Sequence, residues 1–162
     1  MARVYLSLGS NLDPLHHLPI ALDKLRTAFG KLDVSPAYRN KSLGFEGPDF
    51  VNMVVALDTD LDPYALNDGL YALEKAQGRC RSQARYANRT LDIDIVIYDD
   101  LVIHDGPGHL SIPRKELQHA FVLKPLADLA PDLRHPTLGL TMAVLWADFV
   151  HKQEVLEEIS LE

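Results

Sequence analysis

Before Tyr98, the hydrophobic and polar positions predict strand, helix, strand, strand, helix, strand. Val4 to Leu8 is a β-branched and apolar run that ends at the turn residues Gly9-Ser10-Asn11. Asp13-Pro14 reads as an N-cap with proline at the first helical position, and Gly30 stands where a helix-ending glycine belongs. Between them Leu15, Leu18, Leu22, Leu25 and Phe29 recur at helical spacing. Pro19 either kinks this helix or moves its regular start downstream. Leu32 to Tyr38 predicts a second strand, at a sheet edge because Pro36 cannot donate to a central ladder. A loop from Arg39 to Asp49 follows. Phe50 to Leu57 then alternates, with Val51, Met53, Val55 and Leu57 on one face and Phe50, Asn52, Val54 and Ala56 on the other. Asp62-Pro63 repeats the cap-and-proline device ahead of Leu66, Leu70 and Leu73, and Gly78 closes that helix.

The last of these elements, Arg89 to Tyr98, is a strand with two acids in it. Strict alternation puts Leu91, Ile93, Ile95 and Ile97 on one face and Asp92, Asp94, Val96 and Tyr98 on the other. The order predicts an α+β fold, a ferredoxin-like βαββαβ antiparallel sheet with helices on one face and the other face free for ligand. A C-terminal extension of short strands and helices is expected beyond it. Its parts are Val102-Ile103, Leu110-Ser111-Ile112, a turn at Gly106-Pro107-Gly108, a helix from Phe121 to Leu133 through Pro125, and a terminal helix capped by Thr141 that runs through Phe149. The acidic tail, about residues 153 to 162, reads as frayed, and residues 1 to 162 read as a single domain.

Side chains two apart on a strand lie about 6.6 Å apart along it, so Asp92 and Asp94 project toward one small volume. Two readings follow. The pair holds divalent cations of the kind phosphate chemistry uses, two ions about 3.5–4 Å apart, or it is the solvated face of an edge strand guarded against pairing.

Charge changes that picture. The net charge of −7 argues against a general nucleic-acid or membrane-surface binder. Lys75, Arg79, Arg81, Arg85 and Arg89 nevertheless fall in a stretch with no acid, so this island carries +5 and leaves the rest of the chain at −12. A basic island ending at paired carboxylates suits a compact polyphosphate, with arginine forks on its oxygens and acids on its metal. The lone Cys80 reads as a bystander thiol of a reducing compartment, and the absence of any signal-peptide layout or long apolar run points to a cytoplasmic protein. No Walker loop, dinucleotide-binding glycine fingerprint or nucleophile elbow is present, and the histidines show no metal-ligand spacing.

Arg89-Thr-Leu-Asp-Ile-Asp-Ile, preceded by Gly78-Arg79-x-Arg81 and by Leu8-Gly9-Ser10-Asn11-Leu12, resembles the 6-hydroxymethyl-7,8-dihydropterin pyrophosphokinase family of folate biosynthesis. The likeness runs from about Val4 to about Trp146 and includes Phe50-Val-Asn52 and the segment that begins Phe121-Val-Leu. It implies transfer of pyrophosphate from ATP to the pterin's hydroxymethyl oxygen, with release of AMP. It also implies ATP as cosubstrate, two magnesium ions on Asp92 and Asp94, and Arg79 and Arg89 bearing on the transferring group. Glu74, Arg81, Tyr86, Arg89, Ile95, His109 and Ser111 fall where the family contacts ATP. Phe50 and Phe121 would sandwich the pterin, with Asn52 and the backbone near Leu43 reading its edge, and two lids, about Asn40 to Pro48 and Arg79 to Asn88, would close over both substrates. A monomer acting on small molecules is expected.

The chain departs from the family at Arg114 and Lys115, where a histidine is usual after Ile112-Pro113, and at His119, where an arginine is usual; the segment is one residue shorter. Lid differences are Tyr86 in place of a frequent tryptophan and Asn40-Lys41-Ser42-Leu43-Gly44 in the first lid. The alternative reading is a diverged paralogue that binds a pterin or acts on a different one. A metal-dependent nucleotidyltransferase using Gly9-Ser10 with the acid pair ranks below both, on the expectation that most of the sheet separates those elements.

Overall fold

A computed structural model describes residues 1–41, 47–78, 90–149 and 155–161. Strand β1 (Ala2–Ser10) leads into α1 (Pro14–Phe29), β2 (Asp33–Val34), β3 (Ala37–Asn40), β4 (Phe50–Thr59) and α2 (Pro63–Ala76). After these come β5 (Asp92–Tyr98), β6 (Ile103–Gly106), β7 (Leu110–Ile112), α3 (Ala120–Leu129), α4 (Met142–Ala147) and β8 (Glu157–Ile159). The main sheet has the order β5-β1-β4-β3-β8, with β2 also on β4, and β6 and β7 form a separate hairpin. The pairings are antiparallel, and β1 lies between β4 and β5.

Alternation is what sorts the two faces. Val4, Leu6 and Leu8 of β1, Val51, Met53, Val55 and Leu57 of β4, and Ile93 and Ile95 of β5 pack with Leu18, Leu22 and Leu25 of α1 and Leu66 and Leu70 of α2. On the other face Tyr5, Val54, Ala56 and Val96 pack with Val122, Leu123 and Leu126 of α3 and Met142 of α4. Helices therefore lie on both faces, and α3 and α4 cover part of the face expected to be free. Strict alternation of β5 also fails. Tyr5 faces Ile97 and Leu6 faces Ile95, so Val96 is an extra residue in the ladder. Past this bulge the pattern flips, which sends Ile97 to the second core and Tyr98 to the first.

Pro36 splits the expected second strand into β2 and β3. Ser35 holds the break closed: its N–H donates to the Val54 carbonyl at 2.9 Å, and its hydroxyl accepts from the Val54 N–H at 2.8 Å. The edge position holds for β2, which pairs with β4 alone among the described strands. It does not hold for β3, and the tail is not frayed at residues 157–159, because β8 covers β3 with Ala37 opposite Ile159 and Arg39 opposite Glu157. Ile159 and Leu161 pack against the first core, which an acidic tail pattern does not reveal. The Tyr38 hydroxyl donates to Asp128, which also receives Lys124 Nζ at 2.8 Å, so β3 is tied to α3. Burial and the Asp128 carboxylate together push the Tyr38 hydroxyl well above its usual pKa.

Asp62 caps α2 as expected, its Oδ1 accepting from the N–H groups of Tyr64 and Ala65 at 2.9 and 2.8 Å. Asp13 does not cap α1 with its side chain; it sits at φ 50 and supplies its carbonyl to His16 and His17 instead. Helix α1 begins at Pro14 and continues through Pro19. Helix α3 ends at Leu129 and α4 at Ala147, both short of expectation, and Thr141 does cap α4 by accepting from the Val144 N–H at 3.2 Å.

Val54 is fully buried, so its N–H has no water to turn to if the Ser35 hydroxyl is removed. Ser35→Ala is expected to cost about 1–3 kcal/mol in urea unfolding. A loss below about 0.5 kcal/mol, the range of ordinary surface substitutions, would show that the hydroxyl is not Val54's effective partner.

Candidate active site

The register of β1 sets the site. Gly9 lies opposite Asn52 of β4 on one side and Asp92 of β5 on the other, and Tyr38 of β3 lies opposite Asn52. Tyr38, Asn52, Gly9 and Asp92 thus form one row across the sheet, on the face away from α1 and α2. The neighbouring row on β4, β1 and β5 is Val54, Ser7 and Asp94. With strands about 4.8 Å apart, the positions of Asn52 and Asp92 are about 10 Å apart.

Gly9 is small for a reason the register supplies. A Cβ there would stand 2.6 Å from Asn52 Oδ1 and 3.9 Å from the Phe50 ring. The carboxamide of Asn52 therefore lies across β1, and its Nδ2 donates to Asn40 Oδ1 at 2.6 Å. Asn11 adds a tie on the same side, its Nδ2 donating to the Pro48 carbonyl at 3.3 Å. Phe50 is half-buried beside this amide. Phe121, also half-buried, enters from the first turn of α3, and its ring stacks with that of His119, centroids 5.1 Å apart and planes 8° from parallel.

At the other end of the row, Asp92 and Asp94 are half-buried. Arg114 meets Asp94 from the segment after β7: Nη1 is 3.6 Å from Asp94 Oδ1, and Nε donates to Glu116 Oε2 at 3.2 Å. Burial opposes the charge of this guanidinium, yet Asp94 and Glu116 outweigh it and raise the Arg114 pKa above its usual value. Burial likewise pushes the Glu116 carboxyl up, but Arg114 overcomes it and holds Glu116 below the usual carboxylate range. The Arg114 N–H donates to the carbonyl of Val96, the bulge residue, at 3.1 Å. Among the described residues no three His, Cys, Asp or Glu side chains gather into a metal cage. A pair of carboxylates nonetheless fits magnesium that arrives on phosphate, because such an ion keeps several waters and needs only one or two protein acids.

The remaining sequence-predicted residues divide. Glu74 is buried on α2. Ile95 is 0% exposed within the core under α1 and α2, so its side chain is not on the face of Asp92 and Asp94. The His109 ring is 99% exposed and 3.8 Å from Asp105, and the Ser111 hydroxyl accepts from the Asp105 N–H at 3.1 Å. Leu43, Arg79, Cys80, Arg81, Tyr86 and Arg89, with most of both expected lids, lie outside the described residues. Gly9-Ser10 is not separated from the acid pair by most of the sheet. Adjacency of β1 and β5 puts Gly9 directly opposite Asp92, which removes the ground on which the nucleotidyltransferase reading was ranked below the others. Sequence reasoning missed the Asn40 partner of Asn52 and the Glu116 partner of Arg114; Asn40 is the last residue of β3, where the expected loop had already begun, and Glu116 lies in a segment with no strand or helix period of its own.

Solved structures agree on the fold. Chains of Plasmodium falciparum HPPK-DHPS, one crystallised with pterin and p-hydrobenzoate and one wild type with pteroate, superpose with TM-scores of 0.75 and 0.71 at 17% identity over 92% of this chain. The chain spans only 42% of each of those proteins, and a likeness at that identity speaks for the fold alone. The sequence then places it more closely. Residues 5–131 match the family model for 7,8-dihydro-6-hydroxymethylpterin-pyrophosphokinase (HPPK), and the chain belongs to that family. A 2-amino-4-hydroxy-6-hydroxymethyldihydropteridine pyrophosphokinase of Pseudomonas aeruginosa is 48% identical over 143 residues, covering 83% of this chain and 84% of that one. One from Haemophilus influenzae is 37% identical over 141 residues, covering 84% and 86%. The folic acid synthesis protein fol1 of Schizosaccharomyces pombe matches at 37% over 82% of this chain and 18% of its own.

Gly9→Ala should push the Asn52 carboxamide off β1 and break its bond to Asn40. The expected result is a clear shift of the Asn52 side-chain amide resonances in NMR, with a stability loss of about 1–3 kcal/mol from overpacking. Unshifted resonances in the folded variant would refute the close approach.

Proposed function

We propose that this chain transfers the pyrophosphoryl group of ATP to the hydroxymethyl oxygen of 6-hydroxymethyl-7,8-dihydropterin, releasing AMP, as a step of folate biosynthesis. The observation that carries the reading is the row Asn52–Gly9–Asp92, with an amide and an aromatic ring at one end and paired acids at the other, in a chain of this family. Its strand order and the packing of α1 and α2 on one face support reading it as a ferredoxin-like sheet with a C-terminal extension, acting as one pyrophosphokinase domain. It works as a monomer in the cytoplasm on small molecules; no described helix is long and apolar enough to cross a membrane.

Phe50 and Phe121 cover the two faces of the pterin, removing its ring from water. Asn52 reads the ring's edge. Because its Nδ2 already donates to Asn40, the amide cannot turn over freely, and Oδ1 stays available to accept a pterin N–H. The backbone near Leu43 completes that edge. Asp92 and Asp94 would hold two magnesium ions, which would supply charge neutralisation for the polyphosphate, and Glu74, Arg81, Tyr86, Arg89, Ile95, His109 and Ser111 would form the nucleotide's surroundings. Ile95 can serve there through its backbone, since its side chain belongs to the core. Arg79 and Arg89 bear on the transferring group. Attack by the hydroxymethyl oxygen on the β-phosphorus forms one O–P bond and breaks the bond from that phosphorus to the oxygen bridging it to the α-phosphate. That oxygen leaves with AMP, and the hydroxyl proton is released. Such a reaction asks the protein for alignment and charge neutralisation rather than a covalent intermediate.

No observation favours the paralogue that binds a pterin without this activity. Purified protein with magnesium, ATP and 6-hydroxymethyl-7,8-dihydropterin is expected to produce AMP and pterin diphosphate in equal amounts. Pyrophosphate release instead of AMP would point to the nucleotidyltransferase, and pterin binding with no AMP at saturating ATP would sink the catalytic reading. Asp94→Ala should lower turnover at least a hundredfold, in the range lost with one electrostatic stabiliser, while leaving pterin affinity within about twofold. A folded, fully active variant would overturn the metal assignment.

A further inference from the structure

We propose that Arg114 is the resident counter-cation of the metal site. It neutralises Asp94 while no divalent ion is present, and gives that carboxylate up to the ion by keeping its hold on Glu116. The inference rests on Asp94 being a metal ligand, and goes beyond it by assigning Arg114 and Glu116 a part in how the ion enters.

The geometry has an asymmetry that fits this role. Nε of Arg114 makes a true hydrogen bond to Glu116 at 3.2 Å, whereas Nη1 approaches Asp94 at 3.6 Å, an ion pair beyond hydrogen-bond length. One edge of the guanidinium is anchored and the other is only attracted. The Asp94 contact is therefore the one that can be released without leaving the charge unpaired. The main chain of Arg114 does not have to move, since its N–H is fixed to the Val96 carbonyl on β5, the same strand that carries Asp94. Both side chains of the pair are about a quarter exposed, so the attraction is neither fully screened nor fully desolvated. A guanidinium stays charged at every working pH and competes with an incoming cation by charge alone.

Two consequences follow. Without a divalent ion, the half-buried carboxylates do not face each other uncompensated, so the site keeps its shape. A divalent ion arriving alone must displace a positive charge, while an ion arriving on a polyphosphate brings oxygens to which the released edge of Arg114 can turn. Metal alone should bind weakly and the metal nucleotide well, with Arg114 responsible for the difference.

The test is Mn2+ binding to the full chain, measured by electron paramagnetic resonance with and without α,β-methylene-ATP. Arg114→Gln is expected to tighten Mn2+ alone by roughly threefold to tenfold, the range for one unit charge near the surface, and to weaken the Mn2+ nucleotide. Arg114→Lys, which keeps the charge, should stay within about twofold of the parent for Mn2+ alone. Glu116→Gln should weaken Mn2+ alone, and most of that weakening should vanish in the Arg114→Gln background, because Glu116 acts through the arginine. If Arg114→Gln binds Mn2+ no more tightly than the parent, or both affinities fall together with the melting temperature, Arg114 is only a structural tie and the proposal fails. If Arg114→Gln does not fold, the decision falls to Arg114→Lys and Glu116→Gln: an unchanged Mn2+ affinity in Glu116→Gln overturns the proposal. Asp94→Asn separates this failure from that of the functional reading. Mn2+ bound equally by Asp94→Asn and the parent removes Asp94 as a ligand altogether, whereas loss in Asp94→Asn without a gain in Arg114→Gln overturns only the role of Arg114.

Discussion

Everything at this site depends on the antiparallel register of β1 between β4 and β5. Gly9 opposite both Asn52 and Asp92 is the one alignment that puts an amide from one neighbour and a carboxylate from the other on a common row. A slip of one residue would turn both side chains into the helix-packed core, where neither has a partner. The register is held by what lies on the reverse side. Leu6, Leu8, Met53, Val55, Ile93 and Ile95 are fully or almost fully buried against α1 and α2, so any slip also exposes a continuous apolar face. The polar row is precise because the apolar rows behind it are unforgiving.

The bulge at Val96 shows how the second core and the site are made compatible. Regular alternation would carry Asp92, Asp94, Val96 and Tyr98 along one face. The extra residue lets Val96 and Ile97 both reach the core under α3 and α4, returns Tyr98 to the first core, and leaves the acids on the face of Asn52 and Gly9. The carbonyl freed at the bulge is taken by the Arg114 N–H, which brings a guanidinium to Asp94. One irregularity in a strand thus closes the core, ends the polar row and positions a cation beside Asp94.

How much of this could be read from the sequence follows from which residues have periodic neighbours. Strand β4 and the start of β5 were legible because one face of each is wholly apolar and the other is not. The bulge was not, since Val96 and Ile97 are apolar in either pattern. Tyr5, Val54 and Ala56 fit an open ligand face as well as a covered one, so the packing of α3 and α4 on them had no signature. Strand β8 reads Glu-Glu-Ile and carries too little apolar character to announce a pairing with β3. Within the site, Asp92 and Asp94 stood out as acids in an apolar strand. The fit of Gly9 under Asn52 needs strand register, and the Arg114 to Glu116 bond needs the path of a nonperiodic segment; neither is a local property of sequence.

The charge distribution closes the account of why an acidic chain can receive a polyphosphate. Long-range attraction works against it at −7, so affinity has to come from groups within a Debye length of about 10 Å. Arg114 supplies one such charge beside Asp94, and in the sequence the basic stretch from Lys75 to Arg89 runs up to the strand that carries the acids. Paired acids alone would repel the anion and attract only its metal. With the Arg114 guanidinium beside Asp94, the net charge around the acids is moderated, and under the proposal above that guanidinium would turn to the anion once a metal took its place.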